Sequence, residues 1–354
     1  MIFIKISVIF GGKGSEHDVS IVSGTSVISH LNKDKYDIYP IYIGKDGLFY
    51  KYNKKIEDIN ILKVGDTISE LELIDNIIDY LKDIDVIFPV LHGLYGEDGT
   101  IQGLFELIGK PYVGCKVLAS CICMDKIYAK ILFKSIGINT AKSMFLKKYM
   151  DKYVYVDDFF NEIYLKKEEL VEYVSKYLKF PVFIKPSRGG SSVGVSKAKN
   201  TLELINYIEE AFNYDSKVLV EETILGREVE CAILGNDDLI VSTLGEVLAS
   251  DEFYTYEAKY KNSKSRTVIP ANIEDNLIEK IKEIAKKAYK VCDCKGLSRI
   301  DFFVENDTNK IILNEINTLP GFTNISMYPK LFISTGISYS DIITKLVELG
   351  EKAI

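Results

Sequence analysis

Two apolar runs constrain this chain most. Ile4 to Phe10 is apolar apart from Lys5 and Ser7, and Val86 to Leu91 is apolar throughout. A strand with one wet face alternates apolar and polar residues, because successive side chains point to opposite sides. Runs without that alternation belong to strands covered on both faces. Between them lie a helix-like stretch, Val19 to Leu31, with Ser15 or Asp18 as its cap, a second strand, Tyr36 to Ile43, and an apolar-periodic helix, Leu71 to Leu81. This alternation predicts an open parallel α/β sheet with helices on both faces, ending near Gly114. Met1 to Phe10 lacks the basic start and small-residue cleavage site of a signal peptide, and Gly11-Gly12 follows at once, so it reads as a buried first strand.

The rest of the chain changes character. A length of 354 residues suggests two or three domains. We expect boundaries at 1–114, 115–220 and 221–354. A helix is predicted from Met124 to Ser135, then surface structure from Lys147 to Lys179 with a helix at Lys167 to Tyr177. A strand, Phe183 to Lys185, runs into a glycine-serine loop, Arg188 to Gly194. Helix Leu202 to Tyr214 and strand Val218 to Val220 follow, then strands between Glu228 and Val247, a polar segment from Ser250 to Lys264, and helix Glu274 to Val291. A hairpin pairs Ser298 to Glu305 with Lys310 to Asn317, and helix Tyr339 to Leu349 comes last.

Charge and cysteine usage narrow the function. A net charge of −7 argues against a broad nucleic-acid face. The apolar runs fall far short of the ~20 residues of a membrane span. The pairs Cys121/Cys123 and Cys292/Cys294 are too closely spaced for a usual zinc site and have no nearby histidine, so the six cysteines read as reduced thiols in a cytoplasmic protein.

Three clusters could carry chemistry. On the hairpin, side chains two apart share a face, so Arg299 and Asp301 join Glu315 and Asn317. Two carboxylates and an amide are hard oxygen donors suited to Mg²⁺, although a solvated outer face is the plain alternative. The stretch Lys185 to Gly194 has glycines that let backbone N–H groups approach an anion and a lysine to offset phosphate charge; it reads as a phosphate loop or a flexible turn. His92-Gly93 with Glu97 and Asp98 follows a buried strand, where open parallel sheets bind ligands, or else His92 is simply satisfied by Glu97. Glu16-His17-Asp18 is similarly placed, and His30 reads as structural. Gly11-Gly12 lacks the spacing of a dinucleotide fingerprint.

These motifs together resemble the D-alanine–D-alanine ligase family of the ATP-grasp superfamily. The resemblance rests on Phe10-Gly11-Gly12, Ser15 to Ser20, His92 to Gly103, Met124-Asp125-Lys126, Lys185 to Gly194, Asn314 to Thr318 and Pro320-Gly321, over about residues 6 to 349. It implies an ATP-grasp fold, α+β in its ATP-binding part, behind the α/β first domain. It implies that Lys126, Lys185 and Ser192 contact ATP phosphates, that Glu221, Glu222, Thr223 and Ile224 line adenine, and that Glu228 holds ribose. Glu222 and Thr223 depart from the family's usual lysine and bulky group. Asp301, Glu315 and Asn317 would bind two Mg²⁺ or Mn²⁺ ions.

The resemblance also implies the chemistry. One D-alanine would be phosphorylated on its carboxylate and captured by the amine of a second, for peptidoglycan synthesis. Arg299 and the N–H of Gly321 would stabilise the oxyanion. Glu16 would hold the first ammonium and link with Ser191 and Tyr260, while Lys259, Ser326 and Met327 would serve the second substrate. His92 would sit against the first, oriented by Glu97. Phe253 to Tyr260 looks like the family's mobile loop. It has no histidine of the lactate-forming kind, because all three histidines lie at or before position 92. A homodimer in the cytoplasm, with no nucleic-acid or membrane partner, is expected. A D-alanyl-D-serine ligase and a non-catalytic ATP-binding relative are the alternatives.

Overall fold

The computed structural model describes residues 3–248 and 266–352. Its first sheet is built as the two apolar runs require. Strands β1 (Ile4–Gly11), β2 (Tyr36–Ile43) and β5 (Val86–Val90) are parallel, with β1 between the other two. Strands β3 (Phe49–Tyr52) and β4 (Leu71–Leu73) add an antiparallel edge, so the sheet is mixed. Helix α1 (His17–His30) lies so close to β1 that a Cβ on Gly24 would come within 2.4 Å of Phe10. Ser20 of α1 accepts from the N–H of Gly11 at 2.8 Å and donates to the carbonyl of Val90, which fixes the ends of β1 and β5 together.

The expected helix Leu71 to Leu81 is corrected. Leu71 and Leu73 flank Glu72, which pairs across the edge with Lys51 at 2.8 Å, and a helix, α2 (Ile77–Leu81), starts only after Asn76. The Asn76 side chain accepts from the N–H groups of Ile78 and Asp79, a cap that competes with helix before it.

The second sheet is antiparallel, in the order β10 (Ser196–Ala198), β9 (Val182–Pro186), β11 (Lys217–Glu222), β6 (Ser143–Tyr149), β7 (Lys152–Val156) and β8 (Glu162–Leu165). Three of its strands, β6, β7 and β8, occupy much of the stretch expected to be surface structure. Both of their faces are covered: Tyr153 and Leu165 join one core, and Val154 and Val156 join another on the opposite side. Helices α6 (Lys167–Tyr177) and α7 (Thr201–Ala211) cover this sheet.

The third sheet is also antiparallel: β14 (Arg266–Val268), β13 (Ile240–Leu248), β12 (Gly226–Leu234), β15 (Leu297–Glu305) and β16 (Ile311–Asn317). Val229, Cys231, Ile233, Ile300 and Phe302 pack beneath the helix Asp275–Val291. Glu228, Glu230, Arg299 and Asp301 alternate with them and therefore take the other face. The terminal helix, Tyr339–Lys352, crosses back to the first sheet, where Ile342, Ile343, Leu346 and Val347 share a core with Ile6, Val8 and Phe88. No described helix is long and apolar enough to cross a membrane.

Candidate active site

The hairpin register places Arg299 opposite Asn317 and Asp301 opposite Glu315, with a bulge just after Asp301. The four side chains named from parity therefore meet. Arg299 grips both oxygens of Asp301, at 2.8 and 2.7 Å, and lies 3.0 Å from Glu230. Glu230 is a buried acid the sequence reading passed over, although it stands two residues after Glu228 and so shares its face. Asn317 Nδ2 donates to Asp301 at 3.0 Å, which turns its amide oxygen elsewhere, available to a cation.

This donor set fits magnesium by its chemistry. Asp301, Glu315 and Asn317 put hard oxygens on one sheet face, the ligand type that Mg²⁺ takes alongside phosphate and water.

The face carrying Glu228 and Glu315, opposite the helix-covered one, opens into a cavity of about 280 Å³ between the second and third sheets. Lys126, Lys185, Ser191, Ser192, Glu221, Glu222, Thr223, Ile224, Glu228 and Glu315 all line it. The expected nucleotide residues thus converge from β9, β11, β12, β16 and the loop after β9. One role needs refining. The Glu221 carboxylate is engaged by two buried lysines, Lys130 at 2.6 Å and Lys185 at 2.5 Å. Burial pushes its pKa up, but the two ammonium groups win and hold it down to about 2.

The expected helix Met124 to Ser135 is present as α5 (Lys126–Ser135); Met124 ends a separate helix, α4 (Val117–Met124), which follows α3 (Thr100–Leu107), and Asp125 parts α4 from α5. The Asp125 side chain caps α5 by accepting from Ile127 and Tyr128. It also accepts from Ser187 at 2.5 Å and from Lys217, while the Lys126 N–H donates to the Ser187 carbonyl at 3.0 Å. Lys126 and the 188–194 loop are thereby fastened to each other. Lys126 Nζ then donates to the Gly189 carbonyl at 2.7 Å and stands 3.5 Å from Glu315. Arg188 holds Asp215 through its guanidinium at 3.1 Å.

A second, smaller cavity of about 60 Å³ adjoins the first and shares Lys126, Gly189, Ser191 and Glu315 with it. Its other walls include Glu16, His92, Glu97, Arg299, Asn317 and Gly321. Glu16 lies against Gly190, where a Cβ would come within 2.6 Å of its carboxylate, so a larger residue there would push that carboxylate aside. Among the described residues, no hydrogen bond joins Glu16 to Ser191; the two meet only as walls of this cavity.

The expectation that Glu97 orients His92 directly is corrected. His92 Nδ1 donates to the Leu319 carbonyl at 2.9 Å. Its Nε2 accepts from Ser23 at 2.9 Å, and the Ser23 oxygen accepts in turn from the Phe322 N–H. Burial pushes the His92 pKa down, so the ring stays neutral with its proton on Nδ1. Glu97 accepts instead from the N–H groups of Gly93, at 2.9 Å, and Leu319, at 2.8 Å. It therefore acts on His92 through the Leu319 peptide. Burial, then the nearby Glu16, pushes Glu97 up to about 8. Ser23 gave no sequence signal, being one small polar residue in a helix.

Other expected residues lie elsewhere. Ser326 is 2.8 Å from the Thr323 hydroxyl and close to Gly321. Met327 turns into the core, where a Cβ on Gly245 would come within 2.8 Å of its sulfur, so it lines neither cavity. Its apolar side chain starts the helix Met327–Ser334, which packs on β13, so core packing claims it. His17 is held by Gly12 and Tyr42, and His30 packs on Tyr339. Lys259, Tyr260 and the whole Phe253 to Tyr260 segment fall outside the described residues. Five of the six cysteines, at 115, 123, 231, 292 and 294, are buried in one shared core, with Cys123 and Cys294 sulfurs 3.9 Å apart.

Comparison with known proteins bears on the chain as a whole. Residues 5–115 match the family described as D-ala D-ala ligase N-terminus, and residues 132–348 match D-ala D-ala ligase C-terminus. The chain is 48% identical to D-alanine–D-alanine ligase B of Clostridium tetani, covering 98% of this chain and 93% of that protein. It is 46% identical to the D-alanine–D-alanine ligase of Caldicellulosiruptor bescii, covering 98% and 95%. Among solved structures, the VanG D-Ala:D-Ser ligase of Enterococcus faecalis matches with a TM-score of 0.81 and 38% identity, over 99% of this chain and 100% of that one. The D-alanine–D-alanine ligase of Coxiella burnetii matches with a TM-score of 0.81 and 30% identity, over 99% and 94%.

Proposed function

Because this chain belongs to the D-alanine–D-alanine ligase family, we propose that it joins two D-alanine molecules at the expense of ATP, for peptidoglycan synthesis. One observation carries the reading. The large cavity and the small one share Lys126, Gly189, Ser191 and Glu315, so a γ-phosphate seated in the first would stand at the wall of the second. Only a small ligand fits the second.

The residues divide the work. Lys126 and Lys185 offset the charge of the triphosphate, and N–H groups of the 188–194 loop cover it. Glu222, Thr223 and Ile224 wall the adenine, and Glu228 holds the ribose. The first D-alanine lies with its ammonium toward Glu16. Its carboxylate attacks the γ-phosphorus, ADP leaves, and an acyl phosphate results. The second amine, after losing a proton, attacks the acyl carbon and expels phosphate. Arg299 and the Gly321 N–H face the oxygen on which charge builds. Asp301, Glu315 and Asn317 would hold Mg²⁺, which when bound neutralises charge on the transferring phosphoryl group. His92 stays neutral and serves to shape the wall. Lys259, Tyr260 and Ser326 are proposed for the second substrate by family resemblance.

The Enterococcus faecalis match makes D-serine the competing second substrate. The relatives at 46% and 48% identity favour D-alanine. The test is phosphate release from ATP with Mg²⁺ and D-alanine alone, with the product identified by mass. Release that needs D-alanine and yields its dipeptide is expected. Release only on adding D-serine would move the assignment to the second substrate, and ATP binding without release under any condition would leave a non-catalytic relative. We place the reaction in the cytoplasm, where ATP is available, and in a homodimer, which sedimentation would check.

A further inference from the structure

We propose that Lys130 is a positioning residue: it stays on Glu221 so that Lys185 can leave that carboxylate for the nucleotide. The inference rests on the ATP reading above and concerns a residue that lines neither cavity. Lys130 stands one helical turn after Lys126 on α5, and it is only 4% exposed. Each oxygen of Glu221 has its own ammonium, Lys130 on Oε1 at 2.6 Å and Lys185 on Oε2 at 2.5 Å. The two cations differ in reach. Lys185 opens onto the nucleotide cavity, whereas Lys130 is sealed behind it.

That difference sets their roles. An arriving phosphate draws Lys185 away from Glu221. A buried carboxylate stripped of its only cation is strongly disfavoured, so with Lys185 alone the ion pair would resist the nucleotide. With Lys130 in place, Glu221 keeps a partner at all times, and Lys185 moves at small cost. Burial holds the Lys130 ammonium below its ordinary value, and Glu221 offsets that only in part. Glu221 in turn is what permits two lysines to stand so close beside the cavity before ATP arrives.

The test compares the wild type with Lys130→Met, Glu221→Gln and the double variant. Binding of a non-hydrolysable ATP analogue with Mg²⁺ is read by calorimetry, and folding by circular dichroism. Lys130→Met should weaken nucleotide binding about 10- to 100-fold, through KM for ATP rather than kcat. KM for D-alanine should stay within about twofold. Removing the carboxylate as well should restore binding to the level of Glu221→Gln alone, because Lys185 then has nothing to leave. A merely structural Lys130 would show no such rescue. Wild-type affinity in Lys130→Met, or a double variant about tenfold weaker than Glu221→Gln, would overturn the proposal. If Lys130→Met does not fold, the double variant against Glu221→Gln still decides. A wild-type protein that binds no analogue would instead overturn the ATP reading.

Discussion

Glu97 is a carboxylate held by two peptide N–H groups in a buried wall, with a second acid beside it. Its folded pKa, about 8, exceeds the ordinary 4.5. The folded state therefore binds a proton the unfolded state has already lost, and stability falls as pH rises between those two values. Thermal unfolding followed from pH 5 to 8 should show this decline. In Glu97→Gln the decline should flatten, at a lower overall stability, because one amide oxygen cannot serve both N–H groups as well as a carboxyl does. Glu315→Gln should lose at least about a hundredfold in phosphate release with the fold intact, if Glu315 holds Mg²⁺; near-normal turnover at saturating Mg²⁺ would remove it from that role. At this scale, parity alone made Arg299, Asp301, Glu315 and Asn317 legible, since a hairpin fixes its own register. Lys130 was not legible: a lysine at helical spacing reads as solvated until a buried carboxylate from another strand is seen beside it.

Among elements, the break between α4 and α5 does the most. Asp125 caps one helix and anchors the strand end that launches the 188–194 loop, so helix start and loop root are one piece. Asp125→Ala should destabilise the protein by about 2–4 kcal/mol, from the lost cap and the stranded Lys217 ammonium. Asp125→Asn should recover about 1 kcal/mol of that by keeping the cap. Denaturant titration of both variants checks the split. KM for ATP should rise in both, as the loop root loosens. The motif Met124-Asp125-Lys126 and the helix after it were visible, whereas α4 before it was not, and neither was the partnership of Asp125 with Ser187 and Lys217, which lie far along the chain. The strands between Ser143 and Leu165 were concealed differently. Both of their faces are packed, with Met144, Leu146 and Tyr153 on one side and Phe145, Val154 and Val156 on the other, and tyrosine belongs equally to a core and to a surface, so no alternation shows.

Over the whole molecule, the arrangement joins distant parts of the chain. The parallel order at the amino end followed from unbroken apolar runs, and the long-range partner of that sheet did not. The terminal helix covers it: Tyr339 donates to the Phe322 carbonyl and accepts from Ser26 at 2.9 Å, and Leu346 is fully buried. An amphipathic helix shows which of its faces is buried, never against what. Leu346→Ala should cost about 2–5 kcal/mol, and amide hydrogen exchange should quicken in β1 and β5 as well as in the helix. Unchanged exchange in β1 would mean that the sheet stands without this cover. The same packing has a consequence for biosynthesis. A ribosome makes the first sheet well before the helix Tyr339–Lys352 that covers it. In the interval the nascent chain carries an apolar surface without this cover, so chaperone dependence should peak before that helix emerges and fall once it docks.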